Sequence, residues 1–192
     1  CLSAAEMVMP AGGHDQRGGR RFYGCVDGLP LAARSDVLVF ETPELEEDVE
    51  VTGPLAVQLW ASSSAVDTDF TAKLIDVHPP NPDFPRGFEQ NITDSIIRGR
   101  YRNGREEPER MEPGEVYPFE IVMYPTSNLF KRGHRIRLDI SSSNFPRFDV
   151  NPNTGGEMGR DRRIVVAENA VYHDAEHPSH IVLPIIPAGG GE

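Results

Sequence analysis

Apolar and polar residues alternate along most of this chain with a period of two. From residue 49 to 61, Val49, Val51, Leu55, Val57, Leu59 and Ala61 take odd positions, while Glu50, Thr52, Gln58 and Ser62 take even ones. One dry face and one wet face at that spacing predict an antiparallel strand, and Gly53-Pro54 predicts a bend or bulge within it. In the stretch 135–140, Ile136, Leu138 and Ile140 are expected to point inward and Arg135, Arg137 and Asp139 outward. Shorter strands are predicted at 37–40, 70–77, 96–102, 116–124 and 181–186, with a hairpin or two short strands at 164–166 and 170–172. Pro79-Pro80-Asn81-Pro82 ends the second of these, 81–91 reads as loop, and Pro125 closes the strand at 116–124. Residues 141–156 form a long Ser/Asn/Pro/Gly loop carrying Phe145 and Phe148.

About eight strands, no long amphipathic helix and no internal repeat predict an all-β sandwich or jelly roll. Length agrees, since 192 residues suit one domain. Residues 1–35 differ in texture: six of the 18 glycines fall there, and no period persists. They are expected to be a lead-in lying over the sandwich, which occupies 36–192. The chain opens on Cys1 with no signal-like segment, so it is expected to be a piece of a longer protein.

Composition narrows the partners. Gly (18) and Pro (17) make up about 18% of the chain against a typical ~12%, which favours turns over helices. With 19 basic and 30 acidic residues the net charge is −11, a poor match for nucleic acid. The apolar run Ile181-Val182-Leu183-Pro184-Ile185-Ile186 falls far short of the ~20 residues a membrane helix needs. Cys1 and Cys25 cannot build a disulfide framework and read as thiols in a reducing, cytoplasmic setting.

Candidate chemistry is sparse. There is no Gly-x-Ser-x-Gly elbow, and Ser62-Ser63-Ser64 and Ser141-Ser142-Ser143 follow strands, where hydroxyls satisfy turns. His173, Asp174, Glu176, His177 and His180 are the densest titratable cluster, but their spacing fits no helical zinc motif and a solvated loop is the plainer reading. Asp67-Thr68-Asp69 supplies too few ligands for calcium and is expected to pair with Arg135 or Arg137. Arg98, Arg100, Arg102 and Arg105 form one basic stripe, diluted by Glu106, Glu107 and Glu109, and suit salt bridges to another domain better than a phosphate backbone. Asn91-Ile92-Thr93 matches a glycosylation sequon by chance. Trp60 is the only tryptophan, fewer flat aromatics than a sugar-binding face requires.

Residues 124–156 carry a recognisable text. It runs Tyr124-Pro125-Thr126-Ser127-Asn128, Gly133-His134-Arg135-Ile136-Arg137-Leu138, Ser141-Ser142-Ser143-Asn144-Phe145-Pro146-Arg147-Phe148-Asp149 and Asn151-Pro152-Asn153-Thr154-Gly155-Gly156. With Asp15-Gln16-Arg17, Ser35-Asp36-Val37-Leu38, Asp67-Thr68-Asp69-Phe70-Thr71-Ala72-Lys73-Leu74, the stretch 98–102 and His177-Pro178-Ser179-His180, it resembles the C-terminal domain of the X-Pro dipeptidyl-peptidase, cocaine esterase and acyl esterase family of serine hydrolases, over about residues 15 to 186.

The resemblance implies a galactose-binding-like jelly roll that follows an α/β-hydrolase domain bearing a Ser-His-Asp triad. No triad position maps onto this chain, so no catalytic residue, cofactor or metal is expected here. The leading expectation is a non-catalytic module that packs on and stabilises that hydrolase domain and helps wall its active-site entrance. Its contact surface is expected in the loops 62–69 and 141–156, at Asp67, Asp69, Asn144, Phe145, Arg147, Phe148, Asp149, Asn151 and Asn153. Members of the family carry a further strand ahead of the Asp-Gln-Arg segment, so an unpaired sheet edge and a homo-oligomer are also expected. The rivals are a carbohydrate-binding module, which rests on fold analogy, and a metal hydrolase built on the His173–His180 cluster.

Overall fold

The computed structural model describes residues 31–145 and 147–187. The glycine-rich lead-in up to residue 30, with Cys1, Cys25 and Asp15-Gln16-Arg17, lies outside the described residues, as do Pro146 and the tail from residue 188. Nine strands follow a 3-10 turn at Leu31–Ala33: β1 (Leu38–Glu41), β2 (Val49–Ser63), β3 (Asp69–His78), β4 (Phe88–Arg98), β5 (Tyr117–Phe130), β6 (Arg135–Ser141), β7 (Asn169–Tyr172), β8 (His180–Val182) and β9 (Ile185–Ile186). A second 3-10 turn occupies Gly99–Tyr101.

All pairings are antiparallel, in two sheets. The first has the order β1-β6-β3-β4. In the second, the 15-residue β2 pairs β5 along one edge. Its other edge takes β9, β8 and β7 in succession, opposite residues 50–51, 56–58 and 60–63. The result is an all-β jelly-roll sandwich of the galactose-binding-like kind.

The core is the layer between the sheets. Val51, Leu55, Val57, Leu59 and Ala61 of β2 and Phe119, Ile121 and Met123 of β5 meet Phe70, Ala72 and Leu74 of β3 and Ile140 of β6. The rings of Phe70 and Phe119 touch across the layers with centroids 4.9 Å apart. Along the side where β1 faces β7 and β8 the sheets part, leaving an apolar cleft of about 440 Å³ lined by Phe40, Leu59, Leu74, Ile140, Val171 and Ile181 among others.

The period-two reading of β2 holds, bulge included: its register with β5 shifts between Gly53 and Leu55. Gly53 has φ +140°, and a Cβ there would stand 3.0 Å from the Pro184 ring. That same irregularity lets β5 run through Pro125 to Phe130, past the predicted stop. Pro125 falls in the shifted register, where the missing N–H breaks no regular ladder bond.

Other boundaries differ from expectation. The strand expected at 96–102 starts earlier, at Phe88, and gives way at Gly99 to the 3-10 turn. The run 164–166 is not a strand: it has no ladder partner, and Ile164 and Val166 are 72% and 87% exposed. The expected strand at 181–186 is split at Leu183-Pro184.

The largest departure concerns β6. Arg137 and Asp139, expected to face water, are 2% and 3% exposed. Both faces of β6 are covered, so alternation in the sequence separated apolar from charged residues without separating dry from wet.

Truncating Phe119 to Ala opens a cavity where the two sheets meet. Urea denaturation should register a loss of about 3–5 kcal/mol, with the far-UV spectrum unchanged in shape.

Candidate domain-contact face

The long loop after β6 is fastened to the sandwich by two groups of buried charges. Asp67, in the turn before β3, is wholly buried. Its Oδ1 accepts a hydrogen bond from the Arg100 backbone N–H at 3.0 Å, and its Oδ2 accepts from Arg100 Nε at 2.8 Å and from Asn151 Nδ2 at 3.0 Å. Two residues on, Asp69 takes a bidentate pair from Arg98, Nε to Oδ1 at 2.8 Å and Nη2 to Oδ2 at 2.9 Å. Asn151 Nδ2 also donates to Asp69 Oδ1 at 2.8 Å, so one amide bridges both carboxylates.

Local sequence explains why these groups meet. Asp69 pairs with Arg98 across the β3–β4 ladder, so both side chains lie on one face at the sandwich end. Gly99 then admits a close approach: a Cβ there would stand 2.6 Å from Met111 Sδ and 3.2 Å from the Thr68 carbonyl. Arg100 reaches on to the Gly156 carbonyl and Arg110 to the Gly155 carbonyl. Asn151 Oδ1 accepts from the backbone N–H of Asn153, which sits in the left-handed region at φ 61°.

The second group lies on the outer face of the first sheet. Asp94, wholly buried, accepts from Asn144 Nδ2 at 2.9 Å and Lys73 Nζ at 3.4 Å, and Arg147 Nε lies 3.1 Å from its other oxygen. The Arg147 contact is a charge contact rather than an aligned hydrogen bond. Arg147 also spreads over the rings of Tyr124 and Phe148 at 5.4 and 5.5 Å. Alongside, Arg137 joins Asp139 at 3.1 Å and Glu89 at 2.8 Å.

Burial shifts these groups. It pushes Asp139 up to about 6 against the pull of Arg137, brings Lys73 down to about 8 although Asp94 opposes it, and raises Asp69 despite Arg98. The hydrogen bonds Arg98 donates to Asp69 raise its pKa above the ordinary guanidinium range.

The expected contact residues therefore divide. Asp67, Asp69, Asn144 and Asn151 are buried and engaged inside the domain, and Arg147 is largely turned inward. Phe145 is 42% exposed, Asp149 and Val150 are exposed, and Phe148 and Asn153 are half-buried. Phe148 and Asp149 line a cleft of about 410 Å³ with Ile96, Ile97, Arg98, Tyr101 and Arg105.

Two pairings are corrected. Asp67 and Asp69 bind Arg100 and Arg98, whereas Arg135 binds Glu41 and Glu44 and Arg137 binds Glu89 and Asp139. Three of the four arginines of the basic stripe turn inward, Arg98, Arg100 and Arg102 having side chains 9%, 12% and 2% exposed, while Arg105 is exposed. The sequence did carry a signal for this, Asp-x-Asp entering one strand and Arg-x-Arg leaving the strand that pairs with it.

The other candidates have local roles. Ser62 meets Tyr172, Ser63 accepts from Ala65 N–H, Ser64 accepts from Glu168 N–H, and Ser141 meets Thr71. Asp174 accepts the N–H groups of Glu176 and His177 in a tight turn, which lowers its pKa. The ring of His177 packs edge-on against Trp60 at 5.2 Å, so Trp60 is no open platform. Asn91 is wholly buried in β4 and cannot receive a glycan in the folded chain. The metal-ligating side chains that do converge among the described residues are Asp76, His78 and His134, which sequence reading passed over.

Fold and buried charges together define a β-sandwich module. The chain belongs to the family of X-Pro dipeptidyl-peptidase C-terminal non-catalytic domains, which matches residues 10–182. It is 48% identical over 165 residues to the cocaine esterase of Rhodococcus sp. (strain MB1 Bresler), covering 85% of this chain and 28% of that protein. An α-amino acid ester hydrolase structure superposes with TM-score 0.77 at 34% identity, over 91% of this chain and 27% of the other. An aminopeptidase from a marine sediment Thaumarchaeota archaeon does so with TM-score 0.78 at 30% identity, over 93% and 34%. The chain thus spans roughly a third or less of the length of these relatives. Among the described residues no helix is long and apolar enough to cross a membrane.

Two outcomes follow from the buried charges. Replacing Asn151 with Ala leaves Asp67 and Asp69 each short of a donor; denaturation should show a loss of about 2–4 kcal/mol, and limited proteolysis should cut the 144–156 loop faster. Asp139 has a folded pKa above its ordinary 3.8, so its contribution to stability is full below about pH 4 and is lost as pH rises through about 6. The stability of wild type relative to Asp139→Asn should therefore fall between pH 4 and 6, by up to roughly 3 kcal/mol.

Proposed function

We propose that the chain is the C-terminal module of a serine hydrolase and that it packs on the α/β-hydrolase domain of the same protein, stabilising it and walling its active-site entrance, with ester or amide cleavage left to that domain. In this reading residues 36–192 are the module, 1–35 are a lead-in covering it, and the parent works in the cytoplasm. One observation carries the contact surface: the 144–156 loop is rigidly fastened from beneath by Asp67, Asp69 and Asp94, yet turns Phe145 and Val150 outward beside the Phe148 cleft. An apolar patch held in a fixed shape before any partner arrives suits a permanent domain interface.

The exposed β1, with Leu38, Val39 and Phe40 on a sheet edge and beside the apolar cleft, supports a second contact, either with the hydrolase domain or with a second copy of the chain. The carbohydrate-binding reading gains nothing from Trp60.

The purified chain should hydrolyse neither simple esters nor X-Pro amides. Joined to the catalytic part of the cocaine esterase in place of that enzyme's own C-terminal portion, it should raise the melting temperature of the catalytic part. Phe145→Ser with Phe148→Ser should abolish that gain while leaving the melting of the isolated module nearly unchanged. Turnover by the module alone, or a gain indifferent to both substitutions, would reject the assignment.

A further inference from the structure

Five aspartates are buried among the described residues: Asp67, Asp69, Asp76, Asp94 and Asp139. Four face a guanidinium or ammonium group, namely Arg100, Arg98, Lys73 with Arg147, and Arg137. Among the described residues, no Arg or Lys lies within ion-pair distance of Asp76, 3% exposed, which faces two imidazoles instead. A buried carboxylate without a firm cation is costly, so this exception asks for a positive charge.

The backbone sets the three groups side by side. Asp76 and His78 are two apart on β3, hence on one face, and they continue the inward line of Phe70, Ala72 and Leu74. Pairing of Val77 with Arg135 places His134 beside His78, at the start of the inward line Ile136, Leu138 and Ile140. Each apolar stripe thus ends, at the rim of the sandwich, in a potential metal ligand.

Distances are those of a metal cage. The ligating atoms all lie within 4.8 Å of one another. Asp76 Oδ1 is 2.8 Å from His134 Nδ1, and Asp76 Oδ2 is 3.5 Å from His78 Nε2. Donors around tetrahedral zinc with bonds of ~2.0–2.1 Å stand about 3.3 Å apart; the two Asp76 contacts bracket that spacing, and the widest pair of the set would close by up to about 1.5 Å onto one ion. His78 Nε2 is buried and has no hydrogen-bond partner. The two rings are packed with centroids 4.2 Å apart. Side chains 23% and 13% exposed at His78 and His134 leave a way in from solvent.

We propose that Asp76, His78 and His134 form a binding site for a borderline divalent cation of the zinc type, with water completing the coordination. Two imidazoles and one carboxylate suit zinc, cobalt or nickel and are poor for calcium or magnesium, which take oxygen. The ion would supply the charge Asp76 lacks and tie the end of β3 to the β5–β6 turn. This function is structural and independent of any catalytic partner.

The test is to titrate the metal-free 192-residue chain with Zn2+ by calorimetry and with Co2+ by visible absorption, and to follow melting with each. Wild type should take up one equivalent, show the absorption of tetrahedral Co2+ and melt higher. His78→Gln and His134→Gln should each abolish all three changes while melting like the metal-free wild type in chelator. If His134→Gln misfolds, His78→Gln decides, because the lost Nε2 makes no hydrogen bond in the fold. His177→Gln should bind as wild type does. No metal-dependent change in wild type would overturn the site. So would binding that survives His78→Gln, or binding lost only in His177→Gln, which would move the ion to the His173–His180 turn.

Discussion

Asp67, Asp69, Asp94 and Asp139 lie out of water in a domain that otherwise coheres through an apolar layer between two sheets. Removing a carboxylate from solvent costs several kcal/mol unless a cation and further donors replace its hydration. Here the replacements come from distant parts of the chain. Arg98 and Arg100 leave β4, Lys73 lies on β3, Arg137 on β6, and Asn144, Arg147 and Asn151 arrive from the loop beyond β6. Because half-satisfied arrangements are expensive, Asn144, Arg147 and Asn151 hold the loop against these carboxylates, and a run of Ser, Asn, Pro and Gly becomes a fixed surface.

That constraint links stability to function. A sandwich positions its loops well, but a loop rich in glycine and proline would otherwise sample many shapes and lose entropy on meeting a partner. Fastening it from beneath shifts that cost into folding. In the proposed contact, Phe145 would then meet a partner without further ordering. The same logic explains why the most conspicuous charged residues of the loop and its neighbours face inward, leaving Phe145 and Val150 to form the outer surface.

Much of the fold is legible in the alternation of side chains. A single apolar face on β2 and on β6 fixes which residues reach the core, since neighbouring side chains on a strand point to opposite faces. Gly53-Pro54 marked its bulge correctly. What alternation cannot express is partnership. The run at 164–166 has the β-branched residues of a strand and no ladder to join, while Pro125 passes through a strand because a glycine on the neighbouring one relaxes the register there. Arg137 and Asp139 have the pattern of a wet face and are buried nonetheless, because a second set of charges covers them.

Side-chain alternation and motif strings settle the class of fold, the core faces of β2 and β6, the lack of a nucleophile elbow and the resemblance that led to the family. These depend on local periodicity and on contiguous strings of residues, and both survive in one dimension. Which charge meets which emerges only on folding. The partners of Asp67, Asp69 and Asp94 are 21 to 84 residues away in sequence, and Asp76 and His134 are 58 apart. Strand register and the loop docked beside it bring such groups into contact, and register is a property of paired strands rather than of either strand's sequence.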